Sequence, residues 1–211
     1  MEHDSLVIAV TGGMGCGQSS VCEFLKKHGV KVINADEVAR KEIEQNPEVQ
    51  QELKKAFGSR VFYRNGKLNR KYLARKAFSD EAQTQRLNRI VHPRMVARIL
   101  EIIESARESG KYEIIAVDAA LIYELNLEKN FDAVVVVASR MRQRIERIKN
   151  RDGLSDREII DRINKQIPIQ DKIKWADFVV YNYGTLQQLE QKTVALYHNL
   201  KKMARKKIKV S

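Results

Sequence analysis

The sequence predicts an α/β fold in which a mostly parallel sheet is packed between helices. Five short apolar runs, each suited to a buried strand, are separated by stretches with helical periodicity. A glycine-rich turn joins the first run to the first helix. Such a turn, at the carboxyl end of a parallel strand, is typical of phosphate-binding proteins. The five runs cover residues 6–10, 30–33, 113–117, 133–138 and 178–181.

The turn after the first run matches the phosphate-loop template G-x-x-x-x-G-K-[ST] at every position but one. Gly12, Gly17 and Ser19 fit, whereas Gln18 stands where the template has lysine. Backbone N–H groups of such a loop converge on phosphate oxygens, and the Ser19 hydroxyl is expected to reach Mg²⁺. Because the missing ammonium normally binds the β- and γ-phosphates, Gln18 predicts weaker electrostatic stabilisation. The residues expected to bind nucleotide here are Gly13, Gly15, Cys16, Gly17, Gln18, Ser19 and Ser20.

An acidic residue, Asp36, comes directly after the second run. In a parallel sheet this places it at the carboxyl edge, where a carboxylate can accept the proton of an attacking hydroxyl. Asp is also a favoured N-cap, and a helix over 37–44 would begin here. The residues alone leave both roles open.

The stretch from 34 to 112 contains no convincing strand and several amphipathic helices. Asn65-Gly66 marks a turn within it, and Pro93 is expected to open a helix that runs to residue 106. His92, just before that helix, is either structural or a ligand contact. We expect residues 41–111 to form a helical substrate-binding insertion in a core made of 1–40 and 112–211.

Asp118 ends the third run, and an acidic group there can hold the water shell of a metal ion or cap the next helix. Both interpretations stay open.

A basic helical hairpin, expected over about 140–166, follows the fourth run and has the composition of a lid. Arg144, Arg147 and Arg151 share one helical face, and Arg162 lies on the second helix. Like charges on one face destabilise a free helix, so this face predicts contact with phosphates. The alternative is a solvated face whose charges are balanced by nearby carboxylates. Pro168 is expected to end the second helix or to start the next.

Composition excludes several classes of protein. The net charge of +12 fits either polyphosphate substrates or nucleic acid, but no nucleic-acid motif with interleaved aromatic residues is present. We interpret the basic stretch 201–209 as a solvated helix end. No apolar run approaches the ~18 residues of a membrane span, and two cysteines six positions apart favour a reducing cytoplasm. We therefore expect a cytoplasmic protein, favoured as a monomer, with no nucleic-acid or membrane partner.

Taken in order, these motifs resemble the dephospho-coenzyme A kinases along nearly the whole chain. The matching segments are Thr11-Gly-Gly-x-Gly-x-Gly, Asn34-Ala-Asp36, Val91-His-Pro93, Asp118-Ala-Ala-Leu-Ile-Tyr-Glu124, Arg147-x-x-x-Arg-Asp-Gly153, Arg162-x-x-x-Gln166, Lys172 with Ala176-Asp177, and Tyr181-Asn182.

The resemblance implies a phosphate-loop core like that of nucleoside monophosphate kinases, with a five-stranded parallel sheet, a coenzyme A-binding insertion and a lid. It also implies Mg²⁺-dependent transfer of the γ-phosphate of ATP to the ribose 3′-hydroxyl of dephospho-coenzyme A, the last step of coenzyme A synthesis. Asp36 is then the catalytic base and also contacts substrate, together with His92, Asp118 and Arg162. The phosphates are expected to bind Arg144, Arg147 and Arg151.

Three positions depart from the family pattern, and the mildest departure is Ser20, where threonine is commoner. Gln18 replaces the loop lysine, and Arg144 stands where the family often has glutamine. In one hypothesis, Arg144 offsets the positive charge that is missing at residue 18. In another, the chain binds nucleotide or coenzyme A with weak or no kinase activity. A third is a kinase for another small molecule, such as a nucleoside monophosphate.

Overall fold

The computed structural model describes residues 5–208. Its central feature is a five-stranded sheet in the order β2-β3-β1-β4-β5. Strand β1 pairs in parallel with β3 and β4, and β4 pairs in parallel with β5, which confirms the predicted α/β fold. The strands are β1 (Leu6–Gly12), β2 (Lys31–Asn34), β3 (Ile114–Asp118), β4 (Ala133–Ala138) and β5 (Phe178–Tyr181).

Helices cover the sheet, and β1 and β4 are buried along their whole length. Their runs of valine, isoleucine and leucine suit strands that are covered on both faces. The helices are α1 (Gln18–Lys27), α2 (Ala35–Gln45), α3 (Pro47–Phe57), α4 (Arg70–Ala77), α5 (Glu81–Glu108), α6 (Met141–Asp152), α7 (Asp156–Asn164), α8 (Ile169–Trp175) and α9 (Leu186–Ile208).

The chain forms two compact units. One contains the sheet and consists of the chain up to Ile33 and from Ile103 onward, and the other is Asn34–Ile102. The second unit has an apolar core of its own, formed by α3, α4 and the residues between them. Asn65-Gly66 makes the expected turn there, with Gly66 at a φ of 78° and an antiparallel bridge between Phe62 and Leu68.

The helix expected to begin at Pro93 begins twelve residues earlier, so that prediction was wrong. Helix α5 starts at Glu81, where the Asp80 carboxylate accepts a hydrogen bond of 2.8 Å from the Gln83 N–H, and Pro93 lies inside the helix. Proline disfavours such a position because it lacks an N–H and crowds the preceding turn. Buried Val91 and Met95 on either side keep the helix anchored across it.

At the C-terminus, α9 continues to Ile208, and Lys202, Arg205 and Lys206 are exposed. Part of the predicted basic end, residue 209, lies outside the described residues. In the described range 5–208, no helix is both long and apolar enough to cross a membrane.

Candidate active site

The loop between β1 and α1 has the backbone shape of a phosphate loop. Its tight turn is closed by a hydrogen bond of 3.0 Å from the Cys16 N–H to the Gly13 carbonyl. Gly17, the N-cap of α1, has a φ of 92°, and a Cβ there would collide with the Asn182 amide. Only glycine takes this conformation readily, so the loop requires Gly17. The first N–H groups of α1 have no partner within the helix, so they are donors available to an anion at the loop.

Side chains from outside the loop hold its carbonyl groups. A carbonyl that is bound from behind turns its peptide so that the neighbouring N–H groups face the other way, which suits an anion site. The four contacts are Lys172 Nζ to Gly12 O (3.5 Å), Arg144 Nε to Met14 O (2.9 Å), Arg147 Nη1 to Gly15 O (3.3 Å) and Asn182 Nδ2 to Cys16 O (2.9 Å).

Gln18 faces the sheet and not the space above the loop. Its amide nitrogen donates to the Val10 carbonyl at 3.0 Å and to the Asp118 carboxylate. Asp118 is buried at the end of β3, in register with Val10. The Cys22 thiol also bonds this carboxylate, and burial together with Asp118 raises the pKa of that thiol. Residue 18 therefore ties β1 to β3 at the sheet edge.

A buried ion pair lies beneath the loop. The Lys172 ammonium, which is fully buried, contacts Glu124 Oε1 at 2.7 Å and donates to the Ala120 carbonyl at 3.1 Å. The same Glu124 oxygen accepts the Ile167 N–H at 3.1 Å. The pair thus connects the loop and the segment after β3 with the start of α8.

Two of the four predicted lid arginines reach the loop. Arg144 is buried, whereas Arg147 is half-buried and also donates to Ser139 Oγ at 3.1 Å. Arg151 is exposed and forms two hydrogen bonds of 2.8 Å with Asp152, and Arg162 is exposed on α7. The structure therefore brings together the N-terminal part of α6 and the loop.

Gln166, between α7 and α8, also touches the loop. Its Oε1 accepts a hydrogen bond of 2.9 Å from the Met14 N–H. Pro168 is the N-cap of α8, so it starts the next helix as one of the two alternatives predicted. Gln166, Lys172 and Asn182 were parts of matched motifs without an assigned role, since sequence spacing does not show which side chains turn toward the loop.

A cavity of about 610 Å³ opens beside these contacts. Its polar and aromatic lining includes Ser139, Arg140, Arg144, Gln166, Gln170 and Tyr183. The Arg140 guanidinium lies 5.1 Å from the centre of the Tyr183 ring. The walls therefore combine cations, amides and an aromatic ring, a lining that suits an anionic aromatic ligand.

Asp36 and His92 belong to the unit Asn34–Ile102. The N-cap of α2 is Asn34, whose side chain accepts the Glu37 N–H at 2.9 Å. Asp36 is exposed in the first turn, so the capping role considered for it is filled by another residue. His92 is half-buried within α5, and desolvation lowers its pKa.

Comparison with known proteins gives consistent matches. A family model described as dephospho-CoA kinase matches residues 6–188. A curated dephospho-CoA kinase from Syntrophotalea carbinolica is 34% identical over 195 residues, which are 92% of this chain and 92% of that protein.

Solved structures match as well. A dephospho-CoA kinase from Campylobacter jejuni is 26% identical, with a TM-score of 0.65 over 93% of this chain and 97% of that one. A shikimate kinase from Bacteroides thetaiotaomicron, 16% identical with a TM-score of 0.50 over 92% of this chain and 98% of that one, shares the fold alone.

Proposed function

Since this chain belongs to the dephospho-CoA kinase family, we propose that the loop after β1 binds ATP and that the chain transfers its γ-phosphate to the ribose 3′-hydroxyl of dephospho-coenzyme A. The product, coenzyme A, makes this the final step of coenzyme A biosynthesis. The observation that carries the proposal is the loop whose carbonyls are held from behind by side chains, at the N-terminus of α1, whose first N–H groups remain for phosphate oxygens. No comparison favours the alternative of a binding protein without kinase activity.

The chemistry needs a base and an electrophile. The 3′-hydroxyl oxygen forms a bond to the γ-phosphorus, the bond from that phosphorus to the β–γ bridging oxygen breaks, and ADP leaves. We assign Asp36 as the group that accepts the hydroxyl proton. Its exposure and its freedom from the capping role support this assignment.

The remaining site residues are assigned by contact and by resemblance. We propose that Arg147, which donates to the Gly15 carbonyl, also binds a phosphate oxygen with its remaining donors, and the family resemblance assigns Arg151 to the same role. For the acceptor we propose His92, Asp118 and Arg162. Asp118 would act through the orientation that Gln18 gives its carboxylate.

Mg²⁺ fits the donors that the chain offers. The Ser19 hydroxyl is exposed in the first turn of α1, and residues 5–208 contain no cluster of three or more acidic, cysteine or histidine side chains that would hold a metal by themselves. Mg²⁺ typically keeps several waters and binds through one or two protein groups plus substrate phosphates. We therefore propose that Ser19 holds Mg²⁺, which when bound neutralises charge on the phosphates.

A cytoplasmic location also belongs to this proposal. Cys16 and Cys22 are buried, unpaired thiols, and burial raises the pKa of both. Neutral, inaccessible thiols of this kind fit a reducing compartment.

A coupled assay of ADP release with ATP, Mg²⁺ and dephospho-coenzyme A tests the proposed function, with coenzyme A identified by mass. Asp36→Asn should lower kcat by about 10²–10⁴-fold, the usual contribution of a general base, while ATP binding persists. Nucleoside monophosphates serve as the competing acceptors. ADP release with those acceptors and none with dephospho-coenzyme A would refute the proposal.

A further inference from the structure

The loop lacks a positive charge at residue 18, and the structure shows where another cation stands. Gln18 is neutral, and its amide nitrogen is already bound to Val10 and Asp118. Phosphoryl transfer concentrates negative charge on the β- and γ-oxygens, where a preorganised cation contributes strongly. Three other cations contact loop carbonyls, namely Lys172, Arg144 and Arg147.

Lys172 has no donor left for a phosphate, and Arg147 has already used most of its donors. The ammonium of Lys172 is fully buried, is neutralised by Glu124 and bonds two carbonyls, so its three donors are used. Arg147 donates from both terminal nitrogens, to the carbonyls of Gly15 and Asn182 and to Ser139 Oγ. Lys172 therefore holds the scaffold alone, and Arg147 uses three of its five N–H donors there.

Arg144 differs from both. It is only 3% exposed, and in the described part of the chain no carboxylate lies within ion-pair distance of it. Nε is bound to the Met14 carbonyl, whereas within residues 5–208 neither terminal nitrogen is hydrogen-bonded. One of them, Nη2, lies 2.6 Å from the position that a Cβ on Gly13 would take, so it rests directly on the loop. The side chain also lines the 610 Å³ cavity.

Burial without an anionic partner is unfavourable for a guanidinium. Among residues 5–208, the terminal nitrogens of Arg144 are not fully buried atoms without a partner, so they open to the cavity, while charges on buried side chains are normally paired. An anion in the cavity would remove this cost and accept both free donors, and a polyphosphate is the anion that the neighbouring loop is shaped to bind.

We propose that Arg144 supplies the phosphate-binding charge that residue 18 does not, by binding oxygens of the nucleotide polyphosphate from the lid side of the loop. The proposal rests on the proposed function and deepens it. Gln18 is then a positioning residue for the Asp118 carboxylate and the sheet edge, and the loop itself is completed by a side chain of α6.

A double-mutant cycle tests this assignment. Arg144→Gln should weaken ATP binding at least tenfold by calorimetry and lower kcat/KM for ATP by about 10²-fold, the usual cost of one transition-state donor. Gln18→Lys in the same background should restore most of both losses, because the charge returns. A role of Arg144 in packing alone would not be rescued by a lysine at residue 18.

Two controls keep the test decisive. Arg142→Gln makes the same charge change at an exposed position of α6 and should leave ATP affinity unchanged. Gln18→Lys alone should raise ATP affinity only a few-fold, because the site already holds its cation. This variant tests the idea even if Arg144→Gln folds poorly.

The outcomes separate this inference from the proposed function. Unchanged ATP affinity and turnover in Arg144→Gln would overturn it while leaving the kinase assignment intact, and so would a gain of about 10²-fold from Gln18→Lys alone. Absence of turnover with dephospho-coenzyme A would overturn the kinase assignment. In that case the calorimetric cycle with ATP alone would still decide the role of Arg144.

Discussion

The buried pair beneath the loop makes a quantitative prediction for Lys172→Met. Without the lysine, Glu124 Oε1 keeps only its hydrogen bond from the Ile167 N–H. Among the described residues, Glu124 Oε2 is buried without a partner even when the lysine is present. The substitution also deprives the Gly12 and Ala120 carbonyls of a donor. Breaking one partner of a buried ion pair costs about 3–5 kcal/mol.

The exposure of the two side chains places the expected loss at the lower end of that range. Lys172 is 0% exposed, whereas Glu124 is 17% exposed and keeps the Ile167 N–H as a donor, so the orphaned carboxylate is partly compensated. We expect a loss of about 3 kcal/mol in the free energy of unfolding, or about 6–12 °C in Tm for a chain of this size.

Urea unfolding followed by fluorescence measures this loss in the right place. Trp175 is the only tryptophan, lies on α8 three residues from Lys172, and packs edge-on against Tyr123 with ring centres 5.4 Å apart. The matched control is Lys174→Met on the same helix. Its 2.8 Å pair with Asp171 is exposed, so its loss should stay below about 0.5 kcal/mol.

A second variant separates the lost pair from lost packing. Lys172→Met combined with Glu124→Leu leaves no uncompensated charge and should regain most of the stability. If Lys172→Met alone unfolds within about 1 kcal/mol of the unmodified chain, the reasoning from burial is refuted.

Two further changes test other parts of the structure. Gly17→Ala should weaken ATP binding about tenfold or more, as measured by calorimetry. A non-glycine residue in the left-handed conformation costs roughly 1–2 kcal/mol, and its methyl group would meet the Asn182 amide. An ATP affinity equal to that of the unmodified chain would count against the loop geometry. Burial lowers the pKa of His92 below its ordinary 6.5, so the unfolded chain binds the proton more readily than the folded chain. The contribution of neutral His92 to the free energy of unfolding is therefore complete above pH 6.5 and falls as the pH drops below that value. His92→Gln should therefore reduce the loss of Tm between pH 7.5 and 5.5, and an identical loss in both proteins would contradict this.

Much of the fold could be predicted from the sequence because burial leaves a strong signal. Each apolar run became a strand, since β1 and β4 are buried along their whole length and consist almost entirely of apolar residues. The start of α5 was misjudged because Pro93 fits a first helical turn as well as it fits an anchored interior. The helix starts at Glu81 because the Asp80 side chain caps it, and this cap depends on a local hydrogen bond.

The candidate site was harder to predict residue by residue. Periodicity placed Arg144, Arg147 and Arg151 on one face of a helix, but it could not fix how far that face extends along the loop. Two of the three contact it, and Arg151 pairs with Asp152 one turn farther on. Gln18 looked like a weakened phosphate ligand, and only the packing of β3 beside β1 showed that its amide had another partner.

The contact between Gln166 and the Met14 N–H gives nucleotide binding an internal competitor. Under the proposed function, a phosphate oxygen of ATP that binds the Met14 N–H would displace the amide oxygen of Gln166. Exchanging such a bond is worth about 1 kcal/mol, or roughly a fivefold difference in apparent Kd. By reciprocity, a nucleotide that takes this N–H would also loosen the junction of α7 and α8, so occupancy of the loop is coupled to the packing of the residues between these helices.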